Sequence, residues 1–131
     1  MTKLPTRREH RATRRQLRAT LRARSASTRL TASCRRRPRS LATVAIAAGV
    51  DRDTATGTAN GLRAVAKRLS VTPTETARTR RTVAGGRARK TRTVGHYTVA
   101  QVARLVAAYK PRKPEFVAAV ALIAAFTANA A

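Results

Sequence analysis

Residues 41–69 read LATVAIAAGVDRDTATGTANGLRAVAKRL, and their apolar spacing predicts two short helices joined by a sharp turn. Leu41, Val44, Ala45 and Ala48 recur at i, i+3, i+4 and i+7, which gathers them on one face of a first helix. Gly49 ends it, because glycine accepts the left-handed backbone that reverses the chain at a helix C-terminus, and Val50 is an apolar residue fit to tuck into the angle. Asp51 restarts helical structure. Its carboxylate accepts from a backbone N–H two or three residues on, and Asp51 and Asp53 both suit the positive end of the helix dipole. The second helix, 52–69, then has two faces. Ala55, Ala59, Leu62, Ala66 and Leu69 form an apolar stripe with Val65 at its edge, while Arg52, Thr56, Asn60, Arg63 and Lys67 line the opposite side.

That outer face holds no acid among its five residues, in a chain of 131 residues with a formal net charge of +24. A helix lying in the major groove of duplex DNA uses these residue types: Arg and Asn against base edges, Thr against bases or phosphates, and Lys against backbone charge. Thr54 in the first turn and Arg68 in the last complete the expected DNA-binding set on this helix.

From Ser40 to Asn60 the segment resembles the helix-turn-helix of the lactose-repressor family, whose pattern is a Thr-Leu start, Val-Ala, Ala-Gly-Val-Ser, then Thr-Val-Ser and an Asn. The corresponding residues are Ser40-Leu41, Val44-Ala45, Ala48-Gly49-Val50-Asp51, Thr54-Ala55-Thr56 and Asn60. The resemblance covers about 21 residues and implies a DNA-binding motif whose second helix is the reader. Two departures stand out: Gly57 takes the place of a polar recognition residue, and Thr58 that of an apolar one. Gly57 and Gly61 each cost a helix ~1 kcal/mol relative to Ala.

Beyond this helix, Thr79-Arg-Arg-Thr-Val-Ala84 and Arg87-Ala-Arg-Lys-Thr-Arg-Thr-Val94 flank Gly85-Gly86, the pattern of a β-hairpin with a tight turn. Arg80, Arg81, Arg87, Arg89, Lys90 and Arg92 resemble, in order and charge, the wing of winged-helix proteins, which touches the adjacent DNA backbone or minor groove. The competing expectation is a solvated basic loop.

Residues 1–39 hold thirteen arginines and Lys3 against a single acid, Glu9. Leu17 and Leu21, one turn apart, predict a helix from about Arg8 to Arg24, a first domain helix or a basic arm, followed by a flexible Arg- and Ser-rich linker from Ser25 to Ser40. The same composition is that of a mitochondrial transit peptide, the lesser alternative, and no apolar run of a secretory signal follows the first residues.

Toward the other end, Thr98 is placed to cap a helix over residues 99–109, with Val99, Val102, Ala103 and Val106 on one face. Lys110-Pro111-Arg112-Lys113-Pro114 breaks it. A last helix starts at about Glu115, an acid suited to a first turn, and runs through Phe116 and Phe126 to the end. Phe116 to Ala131 is a run of 16 uncharged residues, short of the ~20 that a spanning helix needs. A buried or homodimerising helix is expected. Membrane contact through 116–131 is the alternative, for which Lys110, Arg112 and Lys113 suit the cytoplasmic side.

The expected fold is therefore mainly α. A winged helix-turn-helix domain over 40–97, with a small β-hairpin wing, follows a basic, partly flexible arm at 1–39 and precedes a C-terminal helical pair at 98–131. Leu, Ile, Val and Phe total only 24, so the core is small. Self-repulsion at +24 opposes compaction, and a polyanion relieves it. Ala, Arg and Thr make up 71 residues, whose GC-rich codons point to a high-GC genome.

Catalytic chemistry is scarcely represented. Cys34 is the one cysteine, His10 and His96 are isolated, and Asp51 and Asp53, the close acid pair, read as helix capping. No enzyme, metal or cofactor is expected. The function expected first is a transcriptional regulator of a plasmid, phage or other mobile element in a high-GC bacterium. It would be cytoplasmic and nucleoid-associated, bind double-stranded DNA, and form a homodimer through its C-terminal helices. A second expectation is an accessory protein of plasmid maintenance or conjugal transfer, docking to a partner or membrane through 116–131. A third is a basic RNA-binding or ribosome-associated protein, against which two Tyr and two Phe, all beyond residue 96, leave little for base stacking.

Overall fold

A computed structural model describes residues 3–82 and 89–130, with side chains at 3–79 and 91–130. The elements run α1 (Arg7–Arg36), β1 (Arg39–Ser40), α2 (Leu41–Ala47), α3 (Arg52–Arg68), β2 (Glu75–Thr82), β3 (Arg89–Tyr97), α4 (Val99–Ala108) and α5 (Pro114–Asn129). The protein is mainly helical with a small three-stranded antiparallel sheet. Met1–Leu30 and Thr31–Ala131 form separate compact units.

In the first unit, α1 opens on a capping box. The Glu9 N–H donates to Thr6 Oγ1 at 3.3 Å, and the Thr6 N–H donates back to the Glu9 carboxylate. That backbone bond holds the Glu9 carboxyl below its usual range. The expected break at Ser25 is overturned, because α1 continues as helix to Arg36. Nothing from Ser25 to Arg37 is Gly or Pro, and the Thr28 hydroxyl donates to the Arg24 carbonyl at 3.0 Å within the helix. Pro38 stops it by barring helical backbone at the residue before it.

The second unit is built around α2 and α3. Ser40 caps α2, its hydroxyl accepting from the Thr43 N–H at 3.3 Å. The C-terminus closes as the spacing predicts: Gly49 adopts φ 101°, its N–H donates to Ile46 O at 3.0 Å, and Val50 N–H donates to Ala45 O at 3.1 Å. Val50 is buried in the angle. Asp51 then caps α3, accepting from the Thr54 N–H at 3.1 Å, and the Thr54 hydroxyl first, then this backbone bond, lower its carboxyl pKa.

Leu41 and Val44 of α2, Leu62 of α3, Val102 and Leu105 of α4 and Ile123 of α5 are fully buried side chains of the core. Helix α2 packs on α3, and α4 and α5 pack on one another and on α3. The expected stripe needs one correction: Leu69, the C-terminal cap of α3, is 36% exposed because the helix has ended, while Val65 at the stripe's edge is buried. Thr58 fits an apolar position by donating its hydroxyl to the Thr54 carbonyl at 2.8 Å, so it is fully buried with its polar atom satisfied.

Gly57 and Gly61, expected to weaken α3, are where α4 and α5 approach it. A Cβ on Gly57 would lie 2.7 Å from Phe116 Cε1, and one on Gly61 would fall within the Tyr109 phenol. The absent side chains make room for two of the chain's few aromatic rings. Their helix cost is offset by that contact.

The sheet has the order β1-β3-β2. In β3, Tyr97 and His96 pair with Arg39 and Ser40 of β1, while His96 to Arg89 pair with Glu75 to Thr82 of β2. Both strands of the expected hairpin are longer than the Thr/Val runs, reaching back to Glu75 and on to Tyr97. The expected Gly85-Gly86 turn lies outside the described residues. Thr98 and Gln101 form the capping box of α4, and Gln101 Nε2 also donates to Thr72 O at 2.9 Å, tying the approach to β2 to this helix.

Candidate nucleic-acid interface

Burial fixes the direction of the α3 side chains. Ala55, Thr58, Ala59, Leu62, Val65 and Ala66 are buried, so Arg52, Thr56, Asn60 and Lys67 face outward and are exposed. Arg63 stands among them, partly covered, and its Nη1 donates to Asn60 Oδ1 at 2.7 Å. The Thr56 hydroxyl donates to the Arg52 carbonyl at 3.0 Å, which leaves its methyl and a lone pair outward. Arginine, amide and hydroxyl thus form a row along about four helical turns on one face, with Lys67 at its far end.

Strand β3 carries a further exposed cation, Arg92. Burial, foremost, and then the neighbouring charge of Arg92 pull the Arg63 guanidinium below its ordinary pKa, with Tyr97 opposing. No carboxylate is among the groups that act on it. The Arg63 guanidinium is thus partly desolvated, feels the charge of Arg92 and is bonded to an amide. The cheapest relief of that repulsion is an anion, and the fork of Arg63 matches a guanine edge or a phosphate bidentately. Thr79, opposite Arg92 in register, donates its hydroxyl to the Arg92 carbonyl at 3.2 Å, which steadies the strand there.

Two of the expected residues on α3 lie elsewhere. Thr54 serves the N-terminus: its N–H bonds Asp51 and its carbonyl accepts from Thr58. Arg68 Nη2 donates to Ala108 O at 3.4 Å, placing this cation at the negative end of α4. In the hairpin, Arg92 is exposed, Arg80 and Arg81 face Thr91 and Lys90 in strand register, Arg89 pairs with Thr82, and Arg87 lies outside the described residues. Sequence reasoning missed β1, the Thr6–Glu9 box and the bond between Arg63 and Asn60. Of these, only the Thr-x-x-Glu spacing was there to be read.

On the α4–α5 side, a groove of about 540 Å³ is lined by Ala103, Val106, Val117, Val120, Ala121 and Ala124, among others. Val117 and Leu122 of α5 are 49% and 45% exposed. Among the described residues, no helix is long and apolar enough to cross a membrane. Comparison of the chain with protein-family models, curated proteins and solved structures returns no match.

Proposed function

We propose that this chain is a duplex-DNA-binding regulator of winged helix-turn-helix type. In this reading α3 enters the major groove and the β2–β3 hairpin grips the flanking backbone. The observation that carries it is the outward row of Arg52, Thr56, Asn60, Arg63 and Lys67 on α3, with Arg63 bonded to Asn60, set opposite a fully buried face. The element order supports it: a short β1 precedes the two helices and pairs with the hairpin that follows them, so the hairpin is anchored beside the start of α2. The Schellman closure at Gly49 and the Asp51 cap close the turn between α2 and α3 through hydrogen bonds, as such a motif requires. The resemblance of residues 40–60 to the lactose-repressor motif points the same way.

Selection of bound fragments from random duplex DNA, run with the wild-type chain and two variants, tests the reading. Arg63→Ala should relax preference at one position and cost ~1–3 kcal/mol there, while Arg92→Ala should weaken all sequences alike and lower the salt slope by about 1. Uniform losses for both variants would refute base reading. A palindromic motif would further support a homodimer seated on the α4–α5 groove, because two-fold protein symmetry is mirrored in paired half-sites.

A further inference from the structure

From Arg7 to Arg29, α1 carries nine arginines on a stretch whose every residue is exposed. Their spacing is one-sided. Arg8, Arg15, Arg22 and Arg29 recur every seventh residue, and Arg7, Arg11, Arg14 and Arg18 occupy the adjoining row, so eight of the nine share a single stripe. The reverse face is Ala12, Gln16, Ala19, Thr20, Ala23 and Ser27.

This arrangement works against itself in the absence of a partner. Arg7–Arg11, Arg11–Arg15, Arg14–Arg18 and Arg18–Arg22 are like-charge pairs at i, i+4, which destabilise a helix. The one acid of the stretch, Glu9, is engaged with Thr6 at the cap. With every residue exposed, no buried face offsets the repulsion. The reverse face also excludes a bilayer as the partner, since an interfacial helix needs Leu, Phe or Trp opposite its cations, and Leu17 and Leu21 instead border the arginine stripe. Arg7 to Arg29 spans about 33 Å of helix, close to one turn of duplex DNA.

We propose that the arginine stripe of residues 7–29 is a second phosphate-binding surface for duplex DNA, separate from the α3–β3 interface, and that DNA phosphates are what stabilise this helix. The proposal rests on the duplex-DNA reading above and adds a sequence-independent contact to it. The consequence is coupling: binding neutralises the i, i+4 repulsion, so helix content and affinity rise together as salt falls.

The test uses the full chain, wild type and with Arg11→Gln, Arg14→Gln, Arg18→Gln and Arg22→Gln combined, against a mixed-sequence duplex. Glutamine keeps helix propensity and removes charge, so the free variant should be at least as helical by circular dichroism as the free wild type. Wild-type helicity should rise on adding duplex, and the variant should show no such rise. The slope of log affinity against log salt should shrink by about 3–4, at roughly 0.9 for each phosphate left without its arginine. An unchanged slope would overturn the proposal, as would displacement of the duplex by structured RNA at equal phosphate concentration. The two readings separate cleanly. A shrunken slope together with uniform sequence losses for Arg63→Ala keeps the stripe and sinks base reading, whereas an unchanged slope with relaxed base preference does the reverse. A wild-type chain that binds no duplex overturns both.

Discussion

Helix α3 and residues 7–29 of α1 are both basic, one-sided helices, and they differ in what the other side meets. In α3 the face behind the arginines is Ala55, Thr58, Ala59, Leu62 and Ala66, each buried. In α1 it is Ala12, Gln16, Ala19, Ala23 and Ser27, each exposed. A helix clamped from behind can hold a guanidinium in a set position, which reading a base edge requires. A helix held by its own hydrogen bonds alone offers charge at intervals, which suffices for phosphates. The same periodic pattern thus supports different kinds of contact, and tertiary burial decides which.

The most direct way to break this contrast is to truncate one leucine in each helix. Leu62 is 0% exposed, so Leu62→Ala should cost ~2–5 kcal/mol in urea unfolding. Leu17 is 58% exposed, and Leu17→Ala should leave stability within about 0.5 kcal/mol. Comparable losses would mean that residues 7–29 of α1 have a buried face after all.

Much of α3 and its approach was legible in the sequence because the signals there are local. A glycine after an apolar period, an aspartate before the next one and five polar residues in helical register each act within a turn or two, and the structure places all of them as read. What was not legible depends on distant partners. The glycines of α3 look like defects in sequence because Tyr109 and Phe116, which fill the space beside them, lie some fifty residues away along the chain. Arg68 and Thr54 have the residue types of DNA contacts, and only the fold shows them serving helix ends. β1 is two residues long, too short for any periodicity, and exists because β3 lies alongside it. The run after Ser25 has the composition of a linker, although it contains no helix breaker before Pro38.

The glycines of α3 sharpen the comparison further. Gly61→Ala gains ~1 kcal/mol of helix propensity but drives a methyl into the Tyr109 phenol. Overpacking at such a contact costs ~1–3 kcal/mol, so the net effect on thermal unfolding should be a loss. An exposed helix position gives the opposite sign: Ser27→Ala in α1 should gain a few tenths of a kcal/mol from propensity alone. A gain at both sites would show that Tyr109 yields without cost.

Gly57→Ala should fall between these two. The atoms in the way, Phe116 Cε1 at 2.7 Å and Cζ at 2.8 Å, belong to the outer end of a ring that is only half-buried. Such a ring can swing aside at its outer end, and doing so disturbs the Lys113 ammonium that sits 5.9 Å over its face. An exposed cation–π contact of that length contributes ~0.5–1 kcal/mol, about the size of the propensity gained, so stability should change by less than about 0.5 kcal/mol. The measurement grades the clamp behind α3. If Gly57→Ala is as damaging as Gly61→Ala, Phe116 is held as firmly as Tyr109, and the first turn of α5 fixes α3 from behind along most of its length. If it is neutral, the clamp is concentrated at Tyr109 and the core leucines, leaving the N-terminal half of α3 free to adjust as Arg52 and Thr56 meet the groove.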